Sequence, residues 1–165
     1  MKYTLITLCF LLIGISSRVA AQPDWAGTWT GTLINLPVRS DAPQVEVTRE
    51  IGTLPTEPDT CTLWQTSYAE GGEVQQVKDY QLCRGQDEND WYIDEGDGIV
   101  LTGRWIGDVL VTPFKYNDIL LVTSTRLRDD VMEEEILTVG DQPAIEGVQP
   151  MSPRGIQRLV LHRKN

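Results

Sequence analysis

Turn residues recur at near-regular spacing from Trp25 to the C-terminus and cut the chain into short β-type segments. No other feature constrains the fold as strongly. Gly71-Gly72, Asp94-Glu95-Gly96-Asp97-Gly98, Tyr116-Asn117-Asp118 and Asp129-Asp130 each separate two such segments. In the segment 45–51 (VEVTREI), Val45, Val47 and Ile51 alternate with Glu46, Thr48 and Glu50, the period-2 pattern of a strand with one buried face. Ten segments of this kind run from 25–36 to 156–163, and little has a helical period. The expected fold is all-β: an antiparallel up-and-down barrel of about ten strands, forming one domain over residues 22–165. Only the Gly/Pro-rich stretch 140–153 is long enough to hold something irregular.

Two cysteines supply a register. Cys61 and Cys83 lie at equal distances from Gly72, so a three-residue loop, Gly71-Gly72-Glu73, sets them opposite each other on one sheet face. A disulfide there would stabilise the fold by roughly 3 kcal/mol in the chain-entropy view. The alternative, a metal pair, is poorly served by two cysteines and a single histidine, His162. The same register gathers Trp64, Thr66 and Tyr68 opposite Tyr80, Lys78 and Gln76 on the other face, with Leu82 and Val74 close by. This face has the larger apolar surface and should point inward. Lys78 is out of place in a dry core. It either snorkels from the barrel mouth or marks a partly polar cavity.

Residues 1–21 have the pattern of a secretory signal peptide: Lys2, an apolar run from Leu5 to Ile15, and small residues at Val19-Ala20-Ala21. Its removal takes Cys9, leaving an even pair of cysteines that suits an oxidising compartment, periplasmic or extracellular. It also takes Lys2 and Arg18, so 12 basic residues face 24 acidic ones and the formal charge is 12 − 24 = −12. Such a charge disfavours nucleic acid and anionic membrane surfaces as partners. No later apolar run approaches the ~20 residues of a transmembrane helix.

The opening segment Trp25-Ala26-Gly27-Thr28-Trp29-Thr30-Gly31 resembles the Gly-x-Trp start of the calycin superfamily, which includes lipocalins, fatty-acid-binding proteins, avidins and nitrobindin-like barrels. The resemblance implies a barrel whose closed end is plugged by Trp29, with Gly27 and Gly31 easing the backbone around it. It also implies that an arginine of the last strand, Arg158 or Arg163, packs across that tryptophan. Nitrobindin-like relatives would suggest haem held by His162, but alternation with Leu159 and Leu161 places His162 on the outer face. Fatty-acid-binding relatives would suggest an interior arginine, and Arg126 is a candidate by parity. An Asp129-Asp130 turn, however, sets Arg126 opposite Glu133 as an ordinary cross-strand pair.

No constellation for catalysis stands out. There is no Gly-x-Ser-x-Gly, no His-Glu-x-x-His and no phosphate-cradling loop. Asp94 to Gly98 lacks the spacing of a calcium loop and is expected to be an acidic hairpin turn. Glu133-Glu134-Glu135 reads as a solvated anionic edge. The expected function is therefore non-enzymatic: binding of a small apolar or amphipathic molecule inside the barrel, with Trp64, Tyr68 and Tyr80 as walls and Lys78 as polar handle. No cofactor is required, haem being the only one suggested. The alternative is a structural or protein-interaction domain whose barrel is filled by its own side chains. A carrier should enclose at least ~300 Å³ and a structural barrel should not. Thiol titration of the unfolded, unreduced mature chain is expected to find no free cysteine, and two thiols there would contradict both the bond and the export reading.

Overall fold

The computed structural model describes residues 24–164; the expected signal peptide, 1–21, lies outside them. Ten strands run in order: β1 (Gly27–Leu36), β2 (Val45–Ile51), β3 (Cys61–Glu70), β4 (Glu73–Arg84), β5 (Asp90–Gly96), β6 (Ile99–Ile106), β7 (Val109–Tyr116), β8 (Ile119–Arg128), β9 (Val131–Asp141) and β10 (Met151–Arg163). Each pairs antiparallel with its neighbours in sequence, and β1 pairs with β10, closing the barrel. Among the described residues there is no helix, and hence none able to cross a membrane. The expected ten-strand antiparallel barrel is the observed one. β10 begins earlier than the pattern suggested, at Met151 rather than Ile156, and a bulge at Pro153–Gly155 absorbs the irregular part.

Up-and-down order sorts the connections. Those after β2, β4, β6 and β8 lie at one end of the barrel, together with both chain ends, and those after the odd-numbered strands lie at the other. The first end is closed by tryptophan. All five tryptophans of the chain are buried there: Trp25, Trp29, Trp64, Trp91 and Trp105. Trp25 stacks on Trp64 with ring centroids 6.1 Å apart and meets Trp105 edge to face at 5.1 Å, and Trp105 in turn meets Trp91 at 6.3 Å. Offset and edge-to-face contacts of this kind add to the area that the rings bury.

Trp29 is 0 % exposed, and its indole N–H donates to the Trp25 carbonyl at 3.0 Å. Arg163, not Arg158, lies across it, the guanidinium carbon 4.2 Å from the ring centroid. The same guanidinium donates to the carbonyls of Ala26 and Asp24, which ties the last strand to the segment before the first. Arg158 faces outward and pairs with Glu135. Gly31 sits where β1 approaches β10 so closely that a Cβ would collide with the Val160 carbonyl oxygen. Gly27 adopts a positive φ beneath the Arg163 side chain.

Cys61 and Cys83 are bonded and directly opposed, on the face away from Trp64. The turn between them differs from the expected three-residue loop. It is a two-residue turn, Gly71-Gly72, both residues with positive φ as a tight hairpin turn of this hand requires. A two-residue turn alone would throw the sulfurs onto opposite faces. The extra residue Gln75, a bulge between the Ala69–Val74 and Tyr68–Gln76 pairs, shifts the register back by one. The bulge also corrects the placing of Val74, which points outward and is 61 % exposed rather than lying near Trp64. Trp29→Ala is expected to cost about 3–5 kcal/mol in urea unfolding, as large aromatic truncations in packed cores do. A loss below ~1 kcal/mol would mean that Trp29 does not organise the closed end.

Candidate functional site

The inward positions of β2 are Val45, Val47, Arg49 and Ile51, and those of β9 are Met132, Glu134 and Ile136. Period-2 alternation thus carries a guanidinium and a carboxylate into the barrel from different sides of the interior. Both are buried, at 3 % and 5 % exposure. They meet in a bidentate pair, Arg49 donating to the two Glu134 oxygens at 2.7 and 2.9 Å. Arg49 Nε also donates to the Thr66 hydroxyl at 2.9 Å, and the Thr125 hydroxyl donates to Glu134 at 2.8 Å. Below, the guanidinium lies 5.0 Å from the Trp64 ring centroid. Fork-to-fork geometry with further bonds to Thr66 and from Thr125 is what lets charges persist so deep.

Burial alone would push the Glu134 carboxyl up. The charge of Arg49 and its hydrogen bonds, with that of Thr125, outweigh this and hold it below the usual carboxylate range. Burial likewise opposes the charge on Arg49, and Glu134 overcomes it, so the guanidinium stays protonated.

Above this polar layer the interior is not filled. A cavity of about 130 Å³ remains, walled by Tyr68, Lys78, Tyr80, Phe114, Leu121 and Gln157, with Trp64, Arg49 and Glu134 at its floor. The four residues expected to line a site, Trp64, Tyr68, Tyr80 and Lys78, are therefore brought together on it. Lys78 Nζ lies 5.6 Å from the Tyr68 ring centroid, inside the mouth. Among the described residues no carboxylate lies within ion-pair distance of it. Burial first, then the nearby Glu95 carboxylate, push the Tyr80 hydroxyl up to about 12.

The wall around the cavity is incomplete on one side. The β5–β6 hairpin pairs with β4 only from Gln81 to Arg84, and with β7 only from Val109 to Val111. Above those ladders β6 and β7 part, Pro113 standing on β7 where an amide N–H is missing. Beyond those ladders the hairpin tip, with Glu95 and Leu101 turned toward the cavity, is thus held on neither flank by backbone bonds.

The sequence pattern alone did not single out Arg49, and the solvated edge expected of Glu133-Glu134-Glu135 is corrected at Glu134. The solvated edge holds for Glu133 and Glu135, while Glu134 is a core residue. The signal was available, because Arg49 shares parity with Val47 and Ile51, and Glu134 with Met132 and Ile136. Arg126 is opposite Glu133 as expected, both on the outer wall. His162 is outside and exposed, so it cannot hold haem in the interior. A larger apolar depression, about 500 Å³, lies on the outer wall by Tyr92, Val100, Ile106 and Pro113. Among the described residues the charged side chains that line it, Arg104 and Asp90, are tied to each other.

No protein-family model, curated protein or solved structure matches this chain.

Because Glu134 binds its proton more weakly when folded, the unfolded chain takes up more protons in the weakly acidic range. Its contribution is complete above the ordinary glutamate value of about 4.3 and disappears as pH falls through the lower folded value. In urea titrations Glu134→Gln should lose about 3–5 kcal/mol at pH 7, since it leaves Arg49 charged and alone. It should also flatten the acid limb of stability against pH. The double change Arg49→Met with Glu134→Leu should recover most of that loss. A Glu134→Gln protein as stable as wild type would contradict the buried pair.

Proposed function

We propose that the protein is an exported barrel of calycin type that binds a small amphipathic anion in its open half. Export is supported by the leader pattern in 1–21 and by the Cys61–Cys83 bond. The calycin reading is supported by Trp29 packed beneath Arg163 at the closed end. One observation carries the binding reading. Lys78 is an amine turned into a cavity whose lining mixes aromatic, aliphatic and polar side chains, with no carboxylate within ion-pair distance among the described residues and Tyr68 and Tyr80 beside it. Arg49 is not the anion's partner in this reading, because its charge is already paired with Glu134, which accepts from both of its terminal nitrogens. The apolar part of the guest meets Tyr68, Phe114 and Leu121, and its head meets Lys78.

Size narrows the guest. At about 130 Å³ the cavity falls short of the ~300 Å³ expected of a carrier, so it encloses one ring or the end of a short chain, not a whole lipid. The same shortfall favours the rival reading, an interaction domain with a filled barrel.

Calorimetry with phenylacetate and with its cationic counterpart phenylethylamine separates the two. The carboxylate is expected to bind with a Kd of roughly 10–100 µM, about −6 kcal/mol, and the amine at least about ten-fold more weakly. Lys78→Met should abolish the preference and Tyr80→Ala should weaken both, whereas the exterior change Gln75→Ala should leave them alone. If neither compound binds, or Lys78→Met is without effect, the barrel is not a carrier of this kind and the filled-barrel reading stands.

A further inference from the structure

The five connections around the open end, after β1, β3, β5, β7 and β9, are unlike those at the closed end. Six large apolar side chains in the described residues are more than 60 % exposed, and five of them are here: Val38, Val74, Tyr116, Ile145 and Val148. The sixth, Ile106, is at the closed end. Two of the five are displayed by a built device within the 142–150 connection. There Ile145 and Val148 pair through two backbone hydrogen bonds of 2.9 Å, with Glu146-Gly147 as the turn. A miniature hairpin that keeps two aliphatic side chains in water gains nothing in folding from them. Exposed apolar groups concentrated on one end mark a contact surface.

The charges of this rim say what the contact must carry. The bases on its outer edge are spoken for, Arg39 with Asp41, Lys115 with Asp141 and Arg154 with Asp118, while Lys78 is turned into the cavity. Glu70, Glu73, Asp97 and Glu146 are in no ion pair among the described residues. We infer that the open rim docks a protein partner whose own surface sets lysines or arginines around apolar side chains. A second copy meeting the same rim would oppose acid to acid, and an anionic membrane would do the same. A neutral bilayer would cover the aliphatic groups while leaving four carboxylates uncompensated at its surface, which a basic protein surface does not.

This inference does not depend on what the cavity holds. It can be tested by fluorescence anisotropy with two labelled peptides of equal length, one alternating leucine with lysine and the other leucine with glutamate, and with phosphatidylcholine vesicles alongside. The leucine–lysine peptide should bind, and salt should weaken it. Tyr116→Ser with Val148→Ser should weaken it about ten-fold or more, as should Glu73→Lys with Glu146→Lys. Ile106→Ser with Asp108→Lys, at the closed end, should change it less than about two-fold, which separates docking at the rim from general attraction to an acidic protein. All these positions are at the surface, and unchanged near-ultraviolet circular dichroism would confirm that the variants are folded. Four outcomes would overturn the proposal: equal binding of both peptides, rim variants no weaker than the closed-end one, vesicles bound in place of the peptide, or no peptide binding up to about 1 mM.

Discussion

The Arg49–Glu134 pair is the interaction on which the division of the barrel rests. An antiparallel sheet closed on itself would ordinarily be filled from end to end by side chains, and the lower half here is filled by tryptophan and aliphatic residues. An ion pair in the next layer interrupts that packing. It cannot be exchanged piecemeal for apolar groups, because losing either partner leaves a buried charge. Its need for hydrogen bonds draws in Thr66 and Thr125, so the layer consists of polar groups that satisfy one another. Above this layer Tyr68, Tyr80 and Phe114 line the walls without filling the space between them, and the cavity begins.

The two flanks of the β5–β6 hairpin follow from strand lengths. β4 has 12 residues and β5 has 7, so the upper part of β4 outruns its neighbour. On the other flank the ladder to β7 ends after three pairs. The result is a barrel continuous at its base and notched near its mouth. Any guest in the cavity would face that notch, with Tyr80 of β4 and Glu95 of β5 beside it.

Period-2 alternation made much of this legible. The strand count, the opposition of Cys61 and Cys83, the inward face of Trp64, Tyr68, Lys78 and Tyr80, and the outward turn of His162 follow from counting residues along and across one hairpin or one strand. Two kinds of fact did not follow. A Gly-Gly pair can form a two-residue turn or part of a longer loop, and the cysteine register is kept by the longer loop or by the two-residue turn with a bulge at Gln75. The partnership of Arg49 with Glu134 joins residues far apart in the chain and on strands that are not neighbours, so no local pattern brings them together. Parity alone would have placed each of them inside. It would not have said that they meet, nor that the space above them stays open.

The tryptophan floor has a consequence for how the molecule can be watched. Every indole lies in the closed half, and only Trp64 borders the cavity, while the open half carries tyrosine and phenylalanine alone. The two halves are therefore labelled with different chromophores. Emission excited near the red edge of absorption would follow the floor and be nearly silent about the mouth. Light absorbed by Tyr68 or Tyr80 and re-emitted by Trp64 would cross the polar layer, and a guest seated between them would be seen through that transfer.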